Sequence, residues 1–137
     1  MIVLDTNVIS EAMRGELADP RVIAWIRSRP APLVTTVVNR AEILAGLALL
    51  PAGRRSEELR RRAGAVLAGL GVCLPVTDDC AEHYADIVAL RARDGRPIGG
   101  FDALIAAIAR VAGASVATRD VTGFAGIGLD LIDPWGR

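Results

Sequence analysis

Met1-Ile2-Val3-Leu4-Asp5-Thr6-Asn7 starts the chain with apolar residues in a row and then three polar ones. Side chains alternate sides along a strand, so an unbroken apolar triplet at Ile2-Val3-Leu4 predicts a short strand covered on both faces. Asp5 ends that strand. The carboxyl ends of parallel strands form the ligand crevice of open α/β sheets, which makes Asp5 the first candidate for chemistry.

Outward from this stretch, short apolar runs alternate with helical patterns. A short helix is expected from about Val8 to Met13. Asp19-Pro20 reads as an N-cap with proline at the first helical position, opening a helix with Val22, Ile23 and Ile26 inward and closed by Pro30 and Pro32. Leu33-Val34-Thr35 is a second strand. Thr36 caps a helix carrying Ile43, Leu44, Leu47 and Leu50 at helical spacing, which Pro51-Ala52-Gly53 breaks. A further helix runs from Arg54 to Leu70, and Val72-Cys73-Leu74 is a third strand. Asp78 is expected to cap a helix reaching about Arg93. A loop with Gly95, Pro97, Gly99 and Gly100 leads to the most apolar helix, Ala103 to Val111, with Gly113 as its C-cap. Ser115-Val116-Ala117 is a fourth strand, and a glycine-rich loop leads to Leu129–Ile132. The alternation predicts an α/β fold, and 137 residues favour one domain, 1–137.

Composition excludes several classes. Hydrophobic residues make up 52% of the chain and aromatics 4%, so the core is aliphatic. All 16 basic residues are Arg, which removes Schiff-base chemistry and the P-loop lysine. A formal charge of zero argues against a broad nucleic-acid-binding field. The single histidine, His83, excludes paired-imidazole catalysis and reads as structural or exposed on its helix. Cys73 and Cys80 form no Cys-x-x-Cys pair and no zinc set. Free thiols, a start without a basic leader region, and the lack of any apolar run of roughly 18–20 residues predict a cytoplasmic protein with no membrane segment. Trp25 and Trp135 read as core or interface rather than base-stacking platforms. Charge is uneven all the same. Residues 51–70 hold five Arg against two Glu, and 71–95 hold two Arg against five acids. These are either two solvated helix faces or an arginine helix that meets a nucleic acid or an acidic partner.

Four acids sit where the local pattern asks for something neutral. Asp5 ends a strand, Glu42 precedes Ile43-Leu44 on a helix, Asp102 opens the most apolar helix, and Asp120 follows the fourth strand. Each has an ordinary alternative: a helix cap for Asp5, an exposed helix acid for Glu42, a partner of the helix dipole for Asp102 and a turn residue for Asp120. Gly46, one turn after Glu42, suggests close approach by another backbone or a ligand. All four acids follow strands or belong to helices that start at the same sheet edge, so one crevice could collect them. Clustered carboxylates repel one another and raise one another's pKa. A hard divalent cation relieves that conflict, and an oxygen-only donor set points to Mg²⁺ or Mn²⁺. The chemistry that fits is metal-assisted phosphodiester hydrolysis.

The blocks Met1–Glu11, Arg40-Ala41-Glu42-Ile43-Leu44-Ala45-Gly46 and Ala48-Leu49-Leu50-Pro51 resemble PIN-domain ribonucleases. More narrowly they resemble the VapC toxins of bacterial toxin–antitoxin pairs, including the FitB-like branch. The resemblance continues through Gly95-Arg96-Pro97-Ile98, Asp102–Ala107, Ala117-Thr118-Arg119-Asp120 and Leu131–Trp135, and the ordered set spans essentially the whole chain. It implies a PIN-like fold, with a parallel central sheet of four to five short strands flanked by helices. It also implies an acidic pocket for Mg²⁺ or Mn²⁺. By position, Asp5 and Asp102 match the principal metal-binding acids, Glu42 the helix-borne third, and Asp120 the variable fourth. Many relatives carry the fourth acid three residues later, where this chain has Gly123. Thr6, Asn7 and Thr118 match groups that orient carboxylates or water, or are simple strand-end caps. Arg40, Arg54, Arg55, Arg96 and Arg119 are candidate phosphate contacts by residue type and nearness to the acids in sequence. Arg119, beside Asp120, is the strongest.

The resemblance implies an endoribonuclease toxin in which Asp5, Asp102 and Asp120 hold the ion and Glu42 holds the attacking water. Products should then carry 5′-phosphate and 3′-OH ends. It also implies a VapB-like antitoxin partner, a homodimer within a larger hetero-oligomer, and contact with promoter DNA only through the antitoxin. Two rivals remain on the sequence. One is a phosphotransferase or phosphatase with Asp5 as covalent nucleophile, which the lack of Lys weakens. The other is a non-catalytic subunit of a DNA-bound repressor complex.

Overall fold

The computed structural model of the protein describes residues 1–28 and 31–136. Pro30, expected to close a helix, lies outside the described residues. The elements run β1 (Ile2–Leu4), α1 (Thr6–Ala12), a 3-10 turn (Gly15–Leu17), α2 (Pro20–Ser28), β2 (Leu33–Thr36), α3 (Val37–Ala48), α4 (Arg54–Leu70) and β3 (Cys73–Leu74). They continue with α5 (Cys80–Arg93), α6 (Gly100–Ala112), β4 (Ser115–Ala117), a 3-10 turn (Thr122–Phe124) and β5 (Leu131–Ile132). The fold is α/β, as the alternating pattern predicts.

The five strands form one parallel sheet in the order β3-β2-β1-β4-β5. β1 lies at its centre, with Val3 opposite Val34 on one side and Val116 on the other. The chain steps outward from β1 to β2 and β3, then returns to pair β4 with the opposite side of β1. The strand order therefore reverses between β1 and β4, and in an open parallel sheet that switch point opens a crevice at the carboxyl ends. Asp5 and Thr118 are the residues that follow those two ends.

Two apolar clusters cover the two faces. Val3, Val34 and Val116 pack with Ile87 of α5 and with Ala103, Ile105, Ala106, Ala107 and Ile108 of α6. Ile2, Leu4 and Leu33 pack with Val8 and Ile9 of α1, Val22 of α2, Ile43 and Leu47 of α3, Leu67 of α4 and Trp135. The alternation of Ile2, Val3 and Leu4 between clusters is the period-two geometry of a strand buried on both sides. Burying each Ile, Leu or Val side chain contributes about 1.5–3 kcal/mol.

Helix ends follow local chemistry. The Thr36 hydroxyl accepts the Asn39 N–H and starts α3. The Asp19 carboxylate accepts the Arg21 N–H at the start of α2. Gly113, at φ 65°, takes the left-handed conformation that closes α6.

Several expectations fail. Asp78 makes no cap for α5, which starts at Cys80 without a side-chain cap. Backbone turns from Thr77 and Asp78 to Cys80 and Ala81 begin that helix instead. Leu44 points outward, at 46% exposure, because α3 needs only Val38, Ile43 and Leu47 to meet the sheet, and Leu50 lies beyond the helix, which ends at Ala48. Nothing approaches Gly46, so it marks no close contact. α6 begins at Gly100 rather than Ala103.

Candidate active site

Asp5 closes β1 and caps α1, so its extended backbone and its carboxylate are both set by the strand-to-helix turn. It is 6% exposed. Its Oδ1 accepts from the Thr6 N–H at 2.9 Å and from Asn39 Nδ2 at 3.3 Å. Its Oδ2 accepts from the Thr118 hydroxyl at 2.8 Å and from Asn7 Nδ2 at 3.4 Å. Those donors come from α1, α3 and the end of β4. Burial raises the Asp5 carboxyl above its usual range, against the lowering effect of the hydrogen bonds from Thr118, Thr6 and Asn39.

Glu42, half-buried in the middle of α3, accepts the Thr6 hydroxyl on Oε1 at 2.8 Å. Thr6 in turn accepts from Asn39 Nδ2 at 3.0 Å. Asn39 is fully buried, and its carbonyl oxygen accepts the Thr36 hydroxyl at 2.7 Å. One amide thus ties the start of α3 to both Asp5 and the Thr6–Glu42 pair. Thr118, also fully buried, donates to Asp5 and accepts from Asn7 and from the Asp120 N–H. The Asn7 carbonyl oxygen accepts the Arg119 N–H at 3.2 Å.

Asp102 sits in the first turn of α6, and none of the described hydrogen bonds ends on it. Its carboxyl is pushed up to about 6 from the ordinary 3.8, first by burial and then by the charges of Asp5, Glu42 and Asp120, with Arg91 opposing. Asp120 is exposed, and its Oδ1 accepts the Gly123 N–H at 3.1 Å and the Thr122 hydroxyl at 3.4 Å.

A cavity of about 470 Å³ opens at the switch point, lined by Asp5, Thr6, Asn7, Glu42, Asp102 and Asp120 together with Ser10, Glu11, Arg14, Arg119 and Trp135. It brings together all four acids read from the sequence. Of the arginines named as candidate phosphate contacts, it takes in Arg119, whose guanidinium lies 5.0 Å from the centre of the Trp135 ring. Trp135 itself is buried. Arg40 lines a different, more apolar cavity of about 640 Å³ between α3 and α4. Arg96 pairs with Asp94 at 2.8 Å, and Arg55 lines a groove with Leu17, Glu58 and Arg62. Nearness in sequence does not bring these three to the acidic cavity: Arg40 faces α4 from the first turn of α3, Arg96 lies on the loop after α5 and Arg55 on α4. Arg54 is likewise absent from the acidic cavity.

The sequence reading missed Asn39 and Arg14, and it took Thr36 only as a helix cap, without its bond to the Asn39 side chain. Asn39 lies one helical turn before Glu42 and directly follows the capping position by three, which was the signal available. Arg14 enters at the cavity rim, where it pairs with Glu11 at 3.1 Å.

Among the described residues, no group of three or more His, Cys, Asp or Glu side chains stands close enough to cage a metal ion. The donor set instead fits an ion held by one or two carboxylates with water completing the shell, as Mg²⁺ prefers. Asp102 suits it best: a half-buried carboxylate with no hydrogen-bond donor, facing the charges of three others.

A family model of the PIN domain matches residues 2–127. The chain is 44% identical to the VapC ribonuclease Y4jK of Sinorhizobium fredii, over 98% of each chain. It is 36% identical to Toxin FitB of Neisseria gonorrhoeae, over 98% of this chain and 99% of that one. Among solved structures, FitAcB from Neisseria gonorrhoeae matches with a TM-score of 0.87 at 34% identity, covering 98% of this chain and 99% of that one. FitAB bound to an IR36 DNA fragment matches at 0.89 and 34% identity, over 100% of this chain and 97% of that one. Sheet order, switch-point crevice and these likenesses agree, and the chain belongs to the PIN-domain family, beside the VapC and FitB proteins.

Proposed function

We propose that the chain is the toxin of a toxin–antitoxin pair and acts as a Mg²⁺- or Mn²⁺-dependent endoribonuclease. The observation that carries this reading is the meeting of four carboxylates, from β1, α3, α6 and the loop after β4, in one cavity at the switch point. The names of similar proteins, a VapC ribonuclease and Toxin FitB, support it.

Asp5 and Asp102 would hold the ion directly, and Asp120 would help through the water that completes its shell. A bound ion supplies positive charge toward the scissile phosphate and acidifies water. Thr118, Asn7 and Asn39 keep the Asp5 oxygens aimed, so no reorganisation is needed when substrate arrives. Glu42, anchored through Oε1 by Thr6, orients the attacking water and takes its proton at Oε2. Arg119 at the cavity rim contacts an RNA phosphate. Attack by water rather than by a ribose hydroxyl leaves 5′-phosphate and 3′-OH ends.

The same reading places the protein in the cytoplasm as a homodimer, bound by a VapB-like antitoxin that carries any promoter-DNA contact. Structural likeness to FitAB on DNA supports these partners, and it also favours a second reading, a non-catalytic subunit of a repressor complex. No described helix is long and apolar enough to cross a membrane.

The test uses wild type and Asp102→Asn, each purified free of antitoxin. Each receives a structured RNA pool with Mg²⁺, with Mn²⁺ or with EDTA. Cleavage by wild type alone, only with metal, is the expected result. Fragments ending in 2′,3′-cyclic phosphate would exclude the water mechanism. Equal cleavage by both proteins would exclude the site. Asp5→Asn that leaves RNA cleavage unchanged would exclude the catalytic reading, and repression that survives Asp5→Asn while neither protein cleaves RNA would favour the repressor subunit.

A further inference from the structure

Arg91, on the last turn of α5, is 5% exposed, and a buried guanidinium requires partners for its donors. Here each of its described hydrogen bonds ends on a backbone carbonyl. Nε donates to Arg96 O at 2.7 Å. Nη1 donates to Gly123 O at 2.5 Å, and at 3.4 Å to Thr122 O and Ala125 O. Three of the four acceptors belong to the turn Thr122–Phe124 and the residue after it.

The other side of that turn holds Asp120. The Gly123 N–H and the Thr122 hydroxyl both donate to Asp120 Oδ1. The fit also depends on Gly123 having no side chain. A Cβ there would collide with both carboxylate oxygens, 2.9 Å from Oδ1 and closer to Oδ2. Gly123 is not in the left-handed region, so its role is room rather than backbone freedom. The two observations meet at one residue. The Gly123 carbonyl is clamped by Arg91, and its N–H and empty side-chain space seat Asp120.

We propose that Arg91 is a positioning residue for Asp120, acting through the 122–125 turn, and that Gly123 supplies the space the Asp120 carboxylate occupies. Arg91 touches no reacting atom. It fixes the turn by which an otherwise exposed carboxylate is aimed into the cavity. The inference rests on the reading of Asp120 as part of the ion-binding set.

Two readouts separate this inference from that reading. The first is backbone amide hydrogen exchange, which needs no metal. Arg91→Met should speed exchange across residues 121–125 by about tenfold or more, with residues 100–112 of α6 unchanged. Arg91→Lys should recover part of the protection. Unchanged exchange in Arg91→Met overturns the clamp. The second is Mn²⁺ affinity by electron paramagnetic resonance. Arg91→Met and Gly123→Ala should each weaken it about tenfold. Arg91→Met should cost less than about twofold once Asp120→Asn is present, because the carboxylate it positions is gone. Equal loss in both backgrounds overturns the route through Asp120. If Arg91→Met fails to fold, full Mn²⁺ affinity in Gly123→Ala overturns the seating role. Wild type that binds no Mn²⁺ removes the metal reading, and exchange alone then decides the clamp.

Discussion

Asp5 and Asp102 face the same cavity from opposite kinds of seat. Asp5, at the β1–α1 junction, receives four donors on its two oxygens. Asp102, in the first turn of α6, receives none of the described hydrogen bonds and lies among the charges of Asp5, Glu42 and Asp120. Burial raises both carboxyls. The difference teaches that the first acid is part of how the fold closes, since it links α1, α3 and the end of β4 with or without an ion. The second is held by its helix alone, and its charge, disfavoured by burial and by three neighbouring acids, is relieved by a cation or a proton.

Substitution by asparagine sharpens this contrast. We expect Asp5→Asn and Asp102→Asn each to lower RNA cleavage by roughly 10²-fold or more, measured as initial rates with Mn²⁺. Their effects on stability should be opposite in metal-free buffer. Asp5→Asn places an NH₂ against donors and should cost about 1–3 kcal/mol in urea unfolding. Asp102→Asn removes a charge disfavoured by burial and by like charges, and should raise the melting temperature. Melting temperatures that shift the same way in both variants would break the comparison.

Next in size is the pH dependence. Asp102 is raised in the fold to about 6 from 3.8, so the native state binds a proton that the unfolded chain has already lost between those values. Metal-free stability should therefore fall as pH rises from about 4 to about 6 and level off above. Asp102→Asn should flatten that slope. Mn²⁺ affinity should weaken below about pH 6, where the proton competes for the carboxylate. Wild-type and Asp102→Asn melting profiles that run parallel over this window would contradict the raised Asp102 carboxyl.

Smaller effects test the polar frame around Asp5. Thr118→Val and Asn39→Ala each remove an Asp5 donor and should reduce cleavage by about 10–100-fold while the four acids remain. Arg119→Ala should raise KM severalfold with kcat little changed, because it removes a rim contact rather than a group at the reacting atoms. Arg96→Ala should change cleavage by less than about twofold, since Arg96 pairs with Asp94 outside the cavity. A large loss in Arg96→Ala would show that RNA extends over the α5–α6 loop.

Much of this was legible in the chain. The apolar triplet before Asp5, the Thr36 cap and the Gly113 stop depend on a few adjacent residues, and the structure realises each. The four acids were legible as exceptions to local pattern. What failed was one cap read from residue type alone, and inference across distance. Asp78 seemed a cap by residue type, yet backbone turns start α5. Leu44 fits helical spacing, yet the sheet meets only one edge of α3. Arg40 and Arg96 lie near acids in sequence, and their elements carry them to other surfaces.

By itself, then, the sequence determined the short buried strands, the helix ends at Asp19, Thr36 and Gly113, and which acids lack a local reason. Those properties depend on neighbours within a helical turn. Only the tertiary structure decided that β4 returns to pair with β1, which makes the switch point and brings residues 5, 42, 102 and 120 together. It also decided that Asn39 serves Asp5 and that Arg91 holds the turn beneath Asp120. The physical reason is that a buried donor must find an acceptor, and the sheet order determines which acceptor lies within reach.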